Sequence, residues 1–269
     1  MPRRRVLLTG ATGYIAGQLR PALQEAYDLT MLDNRAADGV LEADLLDGDD
    51  DSLRPHFDGI DTVVHTAYAR PRGEGVQAEY EGQRRNVDMT QRVYQLAVDA
   101  GVRRVVVAST NQAAKWYEQP YFAGRKDRVD PEDYPRPDNF YGWAKAAYES
   151  LGFLYACGSL GRKLQVIHIR IVVPREIDAS QYVDRPRERY VRELAGYISE
   201  RDMQQLFGKS IETPDIEDAY GVPFHIFYGV SDNARKFWSI TNAREVIDYR
   251  PQDDSEIRFA ADIARLLGP

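Results

Sequence analysis

The chain has a single cysteine, Cys157, among 269 residues, so no disulfide can form within it. That excludes a disulfide-stapled secreted scaffold and makes a cytoplasmic address the expectation. Cys157 lies in an apolar helical pattern, ESLGFLYACG, and reads as a small buried hydrophobe rather than a reactive thiol. Long apolar runs are missing as well. No stretch approaches ~20 apolar residues, so no membrane-spanning helix is expected. The start, MPRRRVLLTG, is basic and then apolar, but Val6–Leu8 is too short for the core of a signal peptide. Excess positive charge is absent: 35 Lys and Arg stand against 42 Asp and Glu, a net charge of −7. This argues against nucleic acid as a partner. The four histidines, His56, His65, His168 and His225, are scattered and give no support to a metal site. No repeat or low-complexity tract occurs.

What is present is an alternation of short apolar runs and longer amphipathic ones. Strands are predicted over Val6–Thr9, Tyr27–Asp33, within GVLEADLLD, through Val63 and Val64, over Val102–Thr110 and over Leu164–Val173. Helices are predicted over Tyr14–Ala26, Gln77–Ala100 and Phe140–Leu160, with a polar segment from Asn111 to Asn139. The strands are continuously apolar, which is how a parallel sheet covered on both faces reads. Beyond Val173 the pattern loosens: a charged loop, one helix near Tyr190–Phe207, a strand in PFHIFYG and two terminal helical pieces. The expected organisation is an α/β doubly wound domain over residues 1–172. A smaller part over 173–269, dependent on the first, would help bind substrate.

The first strand runs into TGATGYIAG, with Gly10, Gly13 and Gly17 at the turn into the first helix. Backbone N–H groups at such a helix start are unpaired and have the helix dipole behind them. A side chain at Gly10 or Gly13 would block a pyrophosphate from approaching. Asp33 ends the second strand, where an acidic residue can hold adenosine ribose hydroxyls and repel a 2′-phosphate. NAD is therefore favoured as cofactor over NADP, although Arg35 nearby keeps NADP open. Asp44 and Leu45, after the third strand, are placed to border the adenine.

The second constellation is YGWAK, with Tyr141 and Lys145 four residues apart on one helix face. Upstream, VVVAST ends the fifth strand with Ser109 and Thr110. Ligands of doubly wound sheets bind at such strand ends. Oxidising an alcohol requires removal of its hydroxyl proton. A free phenol, with pKa ~10, is too basic to be ionised at neutral pH. The Lys145 ammonium and a positive nicotinamide are expected to lower it. Thr110 would hold the substrate hydroxyl or the tyrosinate by a hydrogen bond.

Taken together, TGATGYIAG, DLLD, VVHTAYA, NVDMT, VVVASTNQA and YGWAK resemble the extended short-chain dehydrogenase/reductase family, the NAD-dependent epimerase/dehydratase group. The resemblance implies a Rossmann domain with a small C-terminal substrate part. STNQA, PRPDNFYGWAK, HIRIVV, YGVSDNARKFWSI and YRPQDDSE are similar to its short sugar dehydrogenases, the uronate dehydrogenases and the NAD-dependent glucose-6-phosphate dehydrogenase that resembles them. Those enzymes oxidise the C1 hydroxyl of an aldose to a lactone. The implied catalytic set is Thr110, Tyr141 as base, and Lys145. The implied cofactor set is Gly10, Gly13, Tyr14, Ile15, Asp33, Asn34, Asp44, Leu45, Thr66, Ala67, Tyr68, Asn86, Ser109, Tyr141, Lys145 and Ile171. Asn86 fits a structural hydrogen bond equally well, and His65 fits packing beside the cofactor. The implied substrate set is Arg70, Thr110, Asn111, Gln112, Val173 and Arg192. Arg192 matches an arginine that meets the sugar acid in uronate dehydrogenases. The family's dimers, paired through two long helices, imply a homo-oligomer.

Two departures bear on substrate. The sugar dehydrogenases usually read Ser-Asn-His where this chain has Thr110-Asn111-Gln112, and Arg-Ile-Gly-Ser/Asn where it has Arg170-Ile171-Val172-Val173. A valine cannot hydrogen-bond a sugar hydroxyl, so the substrate is expected not to be ordinary glucuronate, with an anionic sugar still open. The arginine-rich RPRERYVR (Arg185–Arg192) is either a solvated loop or a source of an anion contact. Two other readings stand beside the dehydrogenase: an epimerase or dehydratase that retains its NAD, and a non-enzymatic NAD-binding regulator. A short C-terminal part argues against the first, and retention of both Tyr141 and Lys145 against the second.

Overall fold

Runs of valine, leucine and isoleucine form the strands of one parallel sheet. The computed structural model describes residues 3–268; residues 1, 2 and 269, the outermost ends of the two expected parts, lie outside it. The strands are β1 (Arg5–Thr9), β2 (Asp28–Asp33), β3 (Leu41–Glu42), β4 (Thr62–His65), β5 (Arg104–Thr110), β6 (Gln165–Ile171) and β7 (Phe224–Gly229). Their order is β3-β2-β1-β4-β5-β6-β7, and every neighbouring pair is parallel. The order reverses between β1 and β4, which opens a crevice at their C-terminal ends.

Ten α-helices lie between and after the strands among the described residues. They are α1 (Tyr14–Ala26), α2 (Asp50–Leu53), α3 (Val76–Asp99), α4 (Glu118–Phe122), α5 (Phe140–Ala156), α6 (Arg187–Gly196), α7 (Glu200–Glu212), α8 (Thr241–Ile247), α9 (Ser255–Arg258) and α10 (Ala260–Leu267). Alternate strand residues feed two cores. Val6, Leu8, Val64 and Val106 pack on one face with Leu19 and Leu23 of α1 and Leu206 and Phe207 of α7. Leu7, Val63, Val105 and Val107 pack on the other with Val93 and Leu96 of α3 and Ala144 and Tyr148 of α5. Each fully buried large aliphatic side chain contributes roughly 1.5–3 kcal/mol, so both faces of the sheet are firmly held. None of the described helices is long and apolar enough to cross a membrane.

Three expectations are corrected. The single helix near Tyr190–Phe207 is two helices, α6 and α7. Between them Ile198 N donates to Val173 O (3.0 Å), and Ser199 caps α7 by accepting from Asp202 N (3.1 Å). That extended backbone pairing and the serine cap end one helix and start the next. The polar segment after β5 is partly helical: a 3₁₀ turn over Asn111–Tyr117 leads into α4. Cys157 is half-buried at the end of α5 rather than in the core, with its Sγ 3.1 Å from Ser159 Oγ. That hydroxyl holds the thiol below its ordinary pKa. Beyond Val173 the chain also returns to the sheet, where β7 extends β6 with Ile171 opposite Gly229.

Candidate active site

The crevice is built first by close backbone approach. Gly10 has φ +71°, and a Cβ there would lie 2.5 Å from Ala67 Cα. Only glycine lets the β1 turn pass the β4 exit so closely. Thr66 locks the same junction, its hydroxyl donating to Thr9 O at 2.7 Å. At the start of α1, Gly13 is the N-cap, with no side-chain cap and no acidic residue in the first turn. The first-turn N–H groups there meet no competing side chain. Asp33 is held beside this turn by Thr12 N (3.0 Å) and Arg35 N (3.1 Å). An uncapped helix start and a fixed carboxylate fit the diphosphate and ribose of a dinucleotide. Around this mouth, Tyr14 Oη and Gln18 Nε2 both donate to Pro174 O, at 2.8 and 2.9 Å. Ile15, Leu45 and Ile171 contribute side chains to the cores. Asp44 accepts from Leu46 N at 2.8 Å to shape the turn after β3, and Asn34 is exposed.

The loop after β4 is fixed from α3. The Asn86 amide accepts from Ala69 N (2.8 Å) and donates to Ala69 O (2.7 Å) and Gly82 O (3.1 Å). Its donors are thus spent on positioning the loop. Gln83 Nε2 donates to Tyr68 Oη at 2.8 Å and so orients the ring that meets Tyr141. His65 is enclosed between the Thr9 and Thr90 hydroxyls, at 2.8 and 3.3 Å. Burial lowers its pKa to about 3, so it stays neutral and acts in packing.

The catalytic candidates meet at the end of β5. Thr110 caps the 3₁₀ turn by accepting from Gln112 N (3.3 Å). Asn139 caps α5 by accepting from Gly142 N (2.8 Å), and its Nδ2 donates to Gln112 Oε1 (2.9 Å). These bonds tie the start of α5 to the turn after β5. Tyr141 then lies near Thr110, whose hydroxyl acts to lower the pKa of the phenol, and meets the Tyr68 ring edge-on at 5.4 Å. Lys145 Nζ is 5.8 Å from the Tyr141 ring centre and donates to Ala108 O at 2.8 Å.

The electrostatics of the two groups are set by burial. Burial pushes the Tyr141 pKa up to about 12, and the Thr110 hydroxyl only partly opposes this. Burial also lowers Lys145 to about 7, while Glu149 raises it. Desolvation is the dominant influence on both groups.

Behind Lys145 lies a buried polar chain. Glu149 forms a two-pronged ion pair with Arg170 (2.9 and 2.7 Å) and accepts from the Ser109 hydroxyl (2.9 Å). Arg170 also donates to Tyr228 Oη at 3.0 Å. Ser109 therefore turns inward to this network.

The substrate candidates divide. Gln112 is engaged with Asn139, as above. Val173 is fully buried among Ile177, Leu194 and Tyr197. Arg70 is exposed on the loop after β4. Arg192 forms a fork on Glu118 (2.9 and 3.2 Å) and donates to Glu193 (3.0 Å), with its guanidinium over the buried Trp238. Asn111 Nδ2 reaches the same Glu118 oxygen at 3.0 Å. Glu118, Glu149 and Gln83 did not emerge from sequence reasoning. Only the position of Glu149, four residues past Lys145 on the same helix face, was available as a signal.

Comparison with known proteins identifies the family. The pattern of the NAD dependent epimerase/dehydratase family matches residues 6–167. The NAD-dependent glucose-6-phosphate dehydrogenase of Haloferax volcanii is 34% identical, over 93% of this chain and 94% of that protein. The L-arabinose 1-dehydrogenase (NAD(P)(+)) of the same organism is 31% identical, over 93% and 97%. Among solved structures, a mutated uronate dehydrogenase superposes with a TM-score of 0.75 at 25% identity, covering 98% of this chain and 86% of that one. Uronate dehydrogenase of Agrobacterium tumefaciens has the same fold, with a TM-score of 0.75 at 21% identity, covering 100% and 91%. On the family pattern and on the Haloferax relatives alike, this chain belongs to the NAD-dependent epimerase/dehydratase family.

Proposed function

We propose that this chain is an NAD-dependent dehydrogenase that oxidises the C1 hydroxyl of an aldose, sugar acid or sugar phosphate to the lactone. The observation that carries this reading is the assembly of Thr110, Tyr141 and Lys145 at one strand end, beside the glycine turn and Asp33. The names of the Haloferax relatives, both sugar dehydrogenases, support the reaction class.

The start of α1 would hold the diphosphate of NAD, Asp33 its ribose, and Tyr141 and Lys145 its nicotinamide end. When bound, NAD supplies the hydride acceptor and a positive charge beside the phenol. The chain's own residues handle the proton. Thr110 holds the C1 hydroxyl against the Tyr141 oxygen, and the tyrosinate takes the hydroxyl proton as C1 gives up its hydride. The products are the lactone, the reduced cofactor and one proton. Lys145, anchored on Ala108 O, stabilises the tyrosinate. Tyr68 and the loop clamped by Asn86 wall off the phenol, where electrostatic effects are strongest.

Phe153 and Leu154 of α5 are exposed apolar side chains. They support a homodimer through α3 and α5 as part of this reading, and the lone cysteine supports a cytoplasmic location. The decisive experiment follows absorbance at 340 nm with NAD and a panel of aldoses, sugar acids and sugar phosphates. Net NADH formation is expected. Sugar conversion without NADH would establish an epimerase or dehydratase instead, and binding without turnover would establish a regulator.

A further inference from the structure

We infer that Glu118 closes the carboxylate-binding position of the sugar site, so that this chain selects aldoses lacking a C6 carboxylate over the corresponding uronates. The inference rests on the dehydrogenase reading above and deepens it.

Three observations meet at this point. First, the guanidinium edge that matches a carboxylate, Nε with Nη2, is already taken by Glu118 at 3.2 and 2.9 Å. A planar fork of this kind binds one carboxylate in two-pronged fashion. An incoming sugar acid would have to displace Glu118 rather than find a free cation. Second, the remaining side of Arg192 is neutralised as well. Its Nη1 donates to Glu193 (3.0 Å), and Glu193 also pairs with Arg175 (2.7 Å). Two glutamates balance two arginines, so the group carries no net positive charge to attract an anion. Glu118 and Arg192 are both largely buried, at 14% and 20% side-chain exposure, so water screens the pair weakly.

Third, Glu118 also sets the polarity of Asn111, the residue after Thr110. Only the NH₂ end of an asparagine can donate to a carboxylate, so Nδ2 lies on Glu118 at 3.0 Å. The carbonyl oxygen is left for a second partner. It accepts, and so suits a sugar hydroxyl and repels a carboxylate. A continuous chain Thr110–Asn111–Glu118–Arg192 thus reads out a neutral polyol. The substrate class follows from the occupancy of Arg192 rather than from its presence.

The test compares matched pairs, glucose with glucuronate and galactose with galacturonate, by kcat/KM with NAD. The wild-type protein is expected to prefer the neutral member of each pair by at least about tenfold, the scale of one charge-assisted hydrogen bond. Glu118→Gln keeps the size of the side chain but frees the guanidinium. It is expected to raise the uronate-to-aldose ratio by roughly ten- to a hundredfold, chiefly through a lower KM for the uronate. The double variant Glu118→Gln/Arg192→Met is expected to lose that gain, which shows that it passes through the guanidinium. A wild-type preference for uronates overturns the inference while leaving the dehydrogenase reading intact. So does a Glu118→Gln variant that changes both members of a pair alike. If turnover is confined to sugar phosphates, the inference that the site reads out a neutral polyol is overturned; if no aldose, sugar acid or sugar phosphate yields NADH, the dehydrogenase reading itself fails, and this one with it.

Discussion

Gly142, the second residue of the YGWAK stretch, packs directly on the backbone carbonyl of Gln112, and a Cβ there would overlap both the Gln112 oxygen and its carbon. Pro137 closes the same space at 3.1 Å. This contact, with the Asn139 cap, sets how near Tyr141 stands to Thr110. Gly142→Ala should therefore act twice. Overpacking typically costs about 1–3 kcal/mol, seen as a lower melting temperature. The forced separation of α5 from the turn after β5 should also lower kcat. A variant with unchanged kcat and melting temperature would show that this contact does not position the base.

Tyr141→Phe is expected to reduce kcat by ~10²–10⁴, the range for loss of a general base. The pH profile gives the sharper test. Burial raises the phenol to about 12, so its base form is scarce at neutral pH. Oxidation should rise with pH, about tenfold per unit on the acid limb, as the phenol ionises. Lys145→Met removes a positive charge that favours the tyrosinate, so the limb should move to higher pH. A limb that stays in place would mean that Lys145 does not tune the phenol.

The parts of this site written within one segment could be read without coordinates. Tyr141 and Lys145 share one helix face, Gly10 and Gly13 share one turn, and the unbroken valines of β4 and β5 announce buried parallel strands. What escaped is partnership across the chain. Arg192 was legible as a cation, but not its neutralisation by Glu118 from α4, because a sequence shows residue types and not occupancy. The same holds for Ser109, read as a cofactor contact but turned inward onto Glu149. The direction of the Tyr141 shift also depends on desolvation, which appears only once the fold encloses the ring. The break between α6 and α7 is set by tertiary pairing with Val173, which overrides local helical periodicity.

The Glu149–Arg170 pair offers a stability test separate from chemistry. Both side chains are enclosed, at 3% and 0% exposure. Removing one partner of such a pair strands a buried charge and typically costs about 3–5 kcal/mol. Glu149→Gln should lower the urea midpoint accordingly. It should also lower the Lys145 pKa below its present value of about 7, because Glu149 is the group that raises it. Activity near neutral pH should then fall by more than the loss of folded protein explains. A double change to Glu149→Leu/Arg170→Met, which strands no charge, should recover much of the stability.

Two enclosed histidines predict how stability responds to acid. Burial lowers the pKa of His65 to about 3. Burial also lowers His168 well below the ordinary value, with Lys145 and Arg170 adding to the effect. His168 Nε2 is held by Tyr94 Oη at 3.0 Å, so the ring is part of the packed core. Both rings are neutral in the folded protein, whereas in the unfolded chain they take up a proton near pH ~6.5. Between the folded and unfolded values the unfolded state binds more protons, so stability rises with pH there. It is fully present above about pH 6.5 and is lost as pH falls, each histidine contributing a slope of up to about 1.4 kcal/mol per unit. Urea unfolding between pH 7 and pH 5 should show this loss, and His65→Gln should reduce the slope by up to one proton. Stability that does not change over that interval would mean that the histidines are solvated or already charged in the fold.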